Sequence, residues 1–456
     1  MAYDLIDMLP ILMIVSLGIL IFSGFPVGFV LGGVGLFFGL LGYALDVFSF
    51  VEFFNLVPRI WGGVAENLVL VAVPMFIFMG TMLERSGVAE DLLKCLQILL
   101  RRVPGGLAIA VTLLGTIMAA ATGIIGASVV MISLLALPVM LERGYSKELA
   151  TGTIAASGTL GILIPPSIML VIMADLLSIS AGKLFYAALL PGLVLSGLYL
   201  VYIMTYSAMR PEAAPPMSKA EAGLGRGGLW LMVLRSFLPP VFLIVLVLGS
   251  IFGGFATPTE AAGVGAFGTI LLAALNRRLT LPALRDVVQR SGATVAMIFL
   301  VVIGATAFSY VFRSLGGDDV VTDMIESLGL GPWGLLILLM AIIFLLGFFF
   351  DWLEIILIIM PVFAPIIVAL DFGGHVASAD IIYWFAILIA VNLQNSFLTP
   401  PFGFALFFMK GVAPPEVHLD HIYRGIVPFV ILQLIGLALV IAFPGIALWL
   451  PSLMLR

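Results

Sequence analysis

The sequence holds one cysteine, Cys95, and three histidines among its 456 residues. A single thiol excludes an internal disulfide framework. His375, His418 and His421 lie in loops, and no two share a convincing metal partner, which argues against a zinc site. Charge is nearly as scarce: Asp, Glu, Lys and Arg supply 10% of the chain, where a soluble domain carries about a quarter. The net charge of −5 gives no basic surface, so nucleic acid is not an expected partner. No phosphate loop of the form GxxxxGK(S/T) occurs, so ATP hydrolysis is not expected. No nucleophile with a matched base stands out either, and neither an enzyme nor a cofactor is expected.

What the chain has in their place is apolar length. Hydrophobic residues make up 62% of it. At roughly 20 residues per crossing, the apolar runs, among them 63–83 and 292–312, predict an all-α polytopic membrane protein lying in the lipid bilayer. No basic segment or small-residue cleavage site precedes the first run, so a cleavable signal peptide is not expected. Glycine (49) and proline (26) are abundant, and in a membrane they mark where helices approach closely or break.

Lysine and arginine decide sidedness, because cytoplasmic loops retain them. If 105–142 and 332–371 are hairpins that enter and leave on one side, sixteen of the twenty positive residues share one face. Only Arg59, Lys183, Arg313 and Arg456 then fall opposite. This predicts ten full spans, two re-entrant hairpins and both termini outside the cytoplasm. Residues 88–101 put Glu90, Asp91, Lys94, Gln97 and Arg101 on one stripe and leucines on the other, an amphipathic helix along the interface. Acidic 318–328 is its counterpart on the other side.

The two halves resemble each other at a nearly fixed offset. Pro26 pairs with Pro258, Phe78 with Phe308, and Pro165–Pro166 with Pro400–Pro401, at offsets of 232, 230 and 235. The first repeat is 1–206, with hairpin 105–142 and broken helix 149–175. The polar, Pro-rich stretch 207–228 reads as a cytoplasmic linker. The second repeat is 229–456, with hairpin 332–371 and broken helix 380–412. Five spans and one hairpin make an odd number of crossings, so the halves would be inverted. Inverted repeats with broken helices belong to secondary transporters, whose sites lie at the repeat interface.

The breaks supply the candidate site. The first hairpin turns at TGIIGAS (122–128), and SGTLGILIPP (157–166) follows it. Proline removes a backbone donor and leaves a carbonyl free. Free carbonyls with the hydroxyls of Ser128, Ser157 and Thr159 suit a hard cation such as Na⁺. In the second half GFFFDWLE (347–354) holds Asp351, an intramembrane carboxylate and so a functional candidate. NLQNSFLTPP (392–401) adds Asn392, Asn395, Ser396 and Thr399. Half-helices that start after each double proline point positive dipole ends inward, a site for an anionic group. Plainer readings stand beside these. Gly126, Ala127 and Ser128 also suit close helix packing, the proline pairs suit kinks, and Asp351 suits an N-cap. Glu354 has no visible partner and reads as lining a vestibule. Thr257, Pro258 and Glu260 read as a capping box.

These residues resemble the large membrane subunit of tripartite ATP-independent periplasmic (TRAP) transporters. The resemblance is carried by VAVPMFIFMGTMLERSGVAEDLL (71–93), GIIGASVVMISLLALPVMLERGYSKELATGTIAASGTLGILIPPSIMLVIMAD (123–175), FATPTEAAGVGAFG (255–268), FFFDWLEIILIIMPVFAPI (348–366) and LTPPFGFALFFMKG (398–411). It implies an ion-transporter fold in the bacterial inner membrane, with a transport domain moving as an elevator against a scaffold. It also implies Na⁺ coupling, a small four-span partner subunit, and a periplasmic binding protein that delivers a small carboxylate anion. By motif, one Na⁺ site falls on Gly126, Ser128, Ser157 and Gly158, and a second on Asp351, Asn395 and Thr399. Substrate contacts would fall on Thr159, Pro165, Pro166, Asn392, Ser396, Pro400 and Pro401. A stand-alone dicarboxylate or oxyanion carrier of the same superfamily is the alternative. The embedded segments hold no obvious arginine to pair with a carboxylate.

Overall fold

The structure, a computed structural model, describes residues 8–122, 125–216, 230–400 and 403–454. Among the described residues it is built of helices without a strand. The first half runs α1 (Leu9–Ile21), α2 (Val27–Ala44), α3 (Phe50–Ile60), α4 (Ala72–Arg85), α5 (Val88–Leu99), α6 (Gly106–Thr122), α7 (Ile125–Glu142), α8 (Lys147–Thr159), α9 (Ile168–Leu176) and α10 (Ala181–Met209). The second half runs α11 (Trp230–Phe252), α12 (Pro258–Leu275), α13 (Leu281–Ser314), α14 (Gly317–Ser327), α15 (Pro332–Leu346) and α16 (Trp352–Ala369). It closes with α17 (Ile381–Ser396), α18 (Phe404–Val412), α19 (Leu419–Ala442) and α20 (Gly445–Met454). Among the described residues eight of these helices are long and apolar enough to cross a membrane, which makes this a multi-pass membrane protein. Part of the expected linker, 217–228, and both chain ends lie outside the described residues.

Local chemistry sets the helix starts. Thr257 and Glu260 form the expected capping box: Glu260 N–H donates to Thr257 Oγ1 at 3.3 Å and Thr257 N–H to Glu260 Oε2 at 2.8 Å. Two apolar runs end differently from the sequence expectation. The run 63–83 is not one helix, because α3 runs on into a π-turn at Trp61–Ala65 and α4 begins only at Ala72. Asn67 Oδ1 takes the N–H of Val69 at 3.0 Å and of Leu70 at 3.4 Å, a local turn that competes with continued helix. The run 292–312 extends back to Leu281, since Thr280 Oγ1 caps Ala283 N–H at 3.3 Å and Pro282 sits in the first turn. A third expectation changes as well: Glu354 does not merely line a vestibule. Its Oε2 accepts the N–H of Asp351 at 3.2 Å and closes a capping box at the start of α16.

Helix contacts sort into two groups. Helices α1–α5 and α11–α14 pack mainly among themselves, as do α6–α10 with α15–α20. The pairings also recur across the halves: α2 with α13 and α12 with α4, α8 with α19 and α17 with α10, α7 with α18 and α16 with α9. The groups meet where α4 and α5 touch α6, α4 touches α9, and α13 touches α16. Polar ties join the groups: Asn67 Nδ2 donates to Asp175 Oδ1 at 2.6 Å, Arg313 Nη2 donates to the carbonyl of Pro361 at 2.7 Å, and the Tyr186 hydroxyl donates to the carbonyl of Phe252.

The broken helices occupy the centre of the second group. Every residue of α8 from Leu149 to Thr159 is buried, and so is every residue of α17 from Tyr383 to Ser396. Small residues permit this depth of packing. Where α8 crosses α19, a Cβ on Gly152 would collide with the carbonyl of Gly425, and one on Gly425 with the carbonyl of Glu148. Gly425→Ala therefore forces the two backbones apart and should lower the thermal unfolding midpoint of the purified chain. Gly263→Ala, on a helix face with open space around it, should hold or raise the midpoint through the better helix propensity of alanine, about 1 kcal/mol. Equal midpoints for the two variants would contradict the close crossing.

Candidate functional site

The first break follows directly from its prolines. Helix α8 ends at Thr159, one 3₁₀ turn covers Leu160–Ile162, and α9 restarts at Ile168. Pro166 has no N–H to return to the carbonyl of Ile162, and the Ser167 hydroxyl donates to that carbonyl at 2.6 Å instead. The second break begins at Phe397, after α17, and α18 restarts at Phe404. Leu398 N–H at 3.1 Å and the Thr399 hydroxyl at 2.9 Å both donate to the carbonyl of Asn395. Pro401, expected in this break, lies outside the described residues; Pro400 is partly buried beside it.

The breaks meet. Gln394 Nε2 donates to Thr159 Oγ1 at 3.4 Å, joining residues 235 apart in sequence. Both side chains are fully buried, as are Ser157, Asn392, Asn395 and Ser396 to within 1%. Thr159 Oγ1 also donates to the carbonyl of Ala156 at 2.9 Å, and Ser157 Oγ to that of Thr153 at 2.6 Å. Ser396 Oγ donates to the carbonyl of Asn392 at 3.2 Å. A hydroxyl whose hydrogen is given to a backbone carbonyl presents its lone pairs outward. Three such oxygens in buried surroundings favour a cation or a ligand donor.

One amide stands out. Asn395 is fully buried, and neither its Nδ2 nor its Oδ1 has a hydrogen-bond partner; Gln394 Oε1 has none either. Buried amides are almost always paired, so this group is one that a bound species would satisfy. Asn392 is different, since its Nδ2 donates to the carbonyl of Met340 at 2.7 Å and ties α17 to α15.

Both helix tips abut these breaks. In the first, a Cβ on Gly158 would come within 3.1 Å of the Val129 Cα and one on Gly126 within 2.9 Å of the Phe408 ring, so α7 lies against both α8 and α18. Ser128 is buried in that same contact zone. In the second, a Cβ on Gly347 would run into the side chain of Ser396. Asp351 belongs to this tip, and its Oδ1 accepts the N–H of Trp352 at 2.8 Å as the cap of α16. Pro165 is buried beside Pro166 at the first break. Of the expected residues, Thr159 is met by Gln394 from the other half, Asp351 is engaged in capping and Asn392 in bracing. Sequence reasoning passed over Gln394, although an amide in a helix otherwise so apolar was the available signal. It also passed over Thr112, which accepts from Ser157 Oγ at 3.4 Å.

A cavity of about 480 Å³ lies along the seam between the two helix groups. Arg59, Asp175, Thr306, Ser309, Tyr310 and Arg313 are its polar lining. Two arginines, absent from the buried breaks, thus line this cavity.

Comparison with known proteins places this geometry. Residues 14–446 match the family model described as "Tripartite ATP-independent periplasmic transporter, DctM component". The C4-dicarboxylate TRAP transporter large permease protein DctM of Pseudomonas aeruginosa is 32% identical over 389 residues, 85% of this chain and 87% of that protein. The ectoine TRAP transporter large permease TeaC of Halomonas elongata is 29% identical, covering 88% of this chain and 90% of its own. The sialic acid TRAP transporter large permease SiaM of Vibrio cholerae is 28% identical, covering 96% and 97%. Among solved structures, the Alcanivorax borkumensis YdaH transporter superposes with a TM-score of 0.60 at 17% identity and 88% coverage of each chain, a likeness of fold alone. A family model spanning nearly the whole chain, together with a permease relative above 30% identity, settles the assignment: this chain belongs to the DctM family, the large membrane permeases of tripartite ATP-independent periplasmic transporters.

Proposed function

We propose that the chain is a Na⁺-coupled uptake permease of the bacterial inner membrane. It takes a small organic acid delivered by a periplasmic binding protein and works beside a small four-span membrane subunit. The observation that carries this reading is the buried, unpartnered amide of Asn395 at the meeting of two broken helices. A purely structural bundle has no use for backbone breaks at that depth, because each break costs hydrogen bonds that lipid does not replace. Breaks from two halves at one seam are where secondary transporters place ions and substrate. The substrates for which these relatives are named, C4-dicarboxylate and sialic acid, favour an organic acid here.

In this reading the halves 1–206 and 229–456 are inverted repeats joined by the cytoplasmic linker, with both termini periplasmic. The cross-paired helix contacts support it. Helices α6–α10 with α15–α20 form the moving body, and α1–α5 with α11–α14 the scaffold. One Na⁺ is held by Ser128 and Ser157 with backbone carbonyls near Gly126 and Gly158. A second is held by Asn395 and Thr399, with Asp351 lending its charge from the neighbouring tip. Thr159, Ser396 and the half-helix starts behind Pro165–Pro166 and Pro400–Pro401 receive the substrate's polar group.

Uptake into vesicles carrying the chain with its partner subunit should vanish without Na⁺ and without the binding protein. Uptake indifferent to both omissions would overturn the reading. Asn395→Ala separates a ligand from a structural amide. Removing an unpaired buried amide should leave the unfolding midpoint unchanged or raised, while the Na⁺ concentration for half-maximal uptake rises about tenfold or more, a loss of roughly 1.4 kcal/mol in ion binding. A lowered midpoint with normal Na⁺ dependence would make Asn395 structural. For Asp351, Asn caps a helix as well as Asp does, so Asp351→Asn should preserve stability, and Asp351→Ala should cost about 1 kcal/mol. Weakened Na⁺ dependence in Asp351→Asn identifies an ion ligand; unchanged dependence leaves it a cap.

A further inference from the structure

We propose that the cavity between α13 and α16 is a receiving site for the carboxylate or sulfonate group of a small organic anion, recognised by Arg59 and Arg313. The proposal rests on the uptake reading above and adds an anion site apart from the buried seam. The cavity's volume of about 480 Å³ is within the range of small-molecule sites, about 300–1,000 Å³. Its walls come from both helix groups: α13 and the end of α3 on one side, α16 and the end of α9 on the other. Leu357, Met360 and Ala364 supply the apolar part. Arg59 and Arg313 are exposed residues of its lining, and the apolar walls beside them focus their field.

The two guanidinium groups are held ready in different ways. Arg59 lies over the ring of Tyr310, 4.7 Å from its centroid. Stacking uses the flat face of the guanidinium and leaves the in-plane donors for a carboxylate. Arg313 is fixed by the two prolines of α16. Pro365 has no N–H to give to the carbonyl of Pro361, so that carbonyl is free, and Arg313 Nη2 donates to it at 2.7 Å. One donor of five is thereby used, and Asp318 stands 3.6 Å from Nε. Asp175 is the cavity's one lining acid, and the Asn67 amide donates to it at 2.6 Å. Two guanidinium groups against one lining carboxylate give +1, and Asp318, the ion partner of Arg313 outside the lining, offsets it until an anion competes for that guanidinium. Ser309 adds a hydroxyl on the same wall of α13, whereas the Thr306 hydroxyl is occupied, donating to the carbonyl of Val302 at 2.8 Å. Interfacial arginines that only anchor a helix reach toward headgroups; these two face one cavity. An occupant here sits on the seam along which the helix groups meet, next to the α9 end of the first broken helix.

The test uses the full chain in lipid nanodiscs and the arginine reagent phenylglyoxal, with each labelled residue counted by peptide mass spectrometry. Succinate and methanesulfonate, as choline salts without Na⁺, serve as probes. Either probe should slow labelling of Arg59 and Arg313 several-fold and leave Arg277, exposed and outside this cavity's lining, unchanged. Choline chloride at equal ionic strength should protect neither. No protection by either probe, or equal protection by chloride, overturns the site. The paired substitution R59Q/R313Q should raise the KM for uptake about tenfold with kcat within about twofold, as expected for lost ground-state and transition-state binding in equal measure. An unchanged KM overturns the site as well. The two readings fail separately: Na⁺-independent uptake with protection intact defeats only the coupling, whereas Na⁺-driven uptake without protection defeats only this cavity.

Discussion

A backbone N–H or carbonyl inside a bilayer has no water to turn to, and each one left unpaired costs several kcal/mol. The architecture answers that constraint twice over. Helices α8 and α17 both break, and the two halves meet there through Gln394 and Thr159. Ser167 takes the carbonyl that Pro166 cannot serve, Thr399 and Leu398 take that of Asn395, and Gln394 crosses to Thr159. The small residues around them follow from the same need. Gly152, Gly158, Gly347 and Gly425 stand where a methyl group would push the covering helices away.

Proline serves the same chemistry at the outer cavity. In α16 the pair Pro361 and Pro365 releases a carbonyl that α16 itself cannot satisfy, and an arginine from α13 comes to it. That bond and the Asp318 carboxylate 3.6 Å away hold Arg313, exposed in the last turn of α13, and the bond joins the two groups of helices. Asn67 and Asp175 make the matching tie nearby. Both ties are polar, and neither group interlocks with the other as closely as α8 does with α19. The seam carries these hydrogen bonds and opens along a cavity.

Much of this was legible from residues alone. The amphipathic arm over 88–101 appears as α5, and the capping box of Thr257 and Glu260 forms as its spacing requires. Helix pairs occupy 106–142 and 332–369 with breaks beside the double prolines. These are local properties, set by period, cap chemistry and the missing donor of proline. Other features were not legible. Glu354 gave no sign of its partner because that partner is a backbone N–H three residues back, which any residue there would offer. Arg313 gave none because it pairs with a carbonyl 48 residues away. The split of 63–83 turned on Asn67, whose side chain outcompeted an otherwise strong apolar pattern.

The sequence by itself determined the class of protein, the places where helices begin and break, and the residue types offered at each break. Those follow from hydropathy and from backbone chemistry acting over a few residues. Only the tertiary structure decided which offers are taken up. Asn392 is spent on Met340 while Asn395, three residues on, is left unpaired. Gln394 meets Thr159 from the other half, and the scarce arginines 59 and 313 come to one cavity rather than two loops. A buried polar group's role depends on what the fold brings within about 3 Å of it, and no local pattern in a chain with 10% charge encodes that distance.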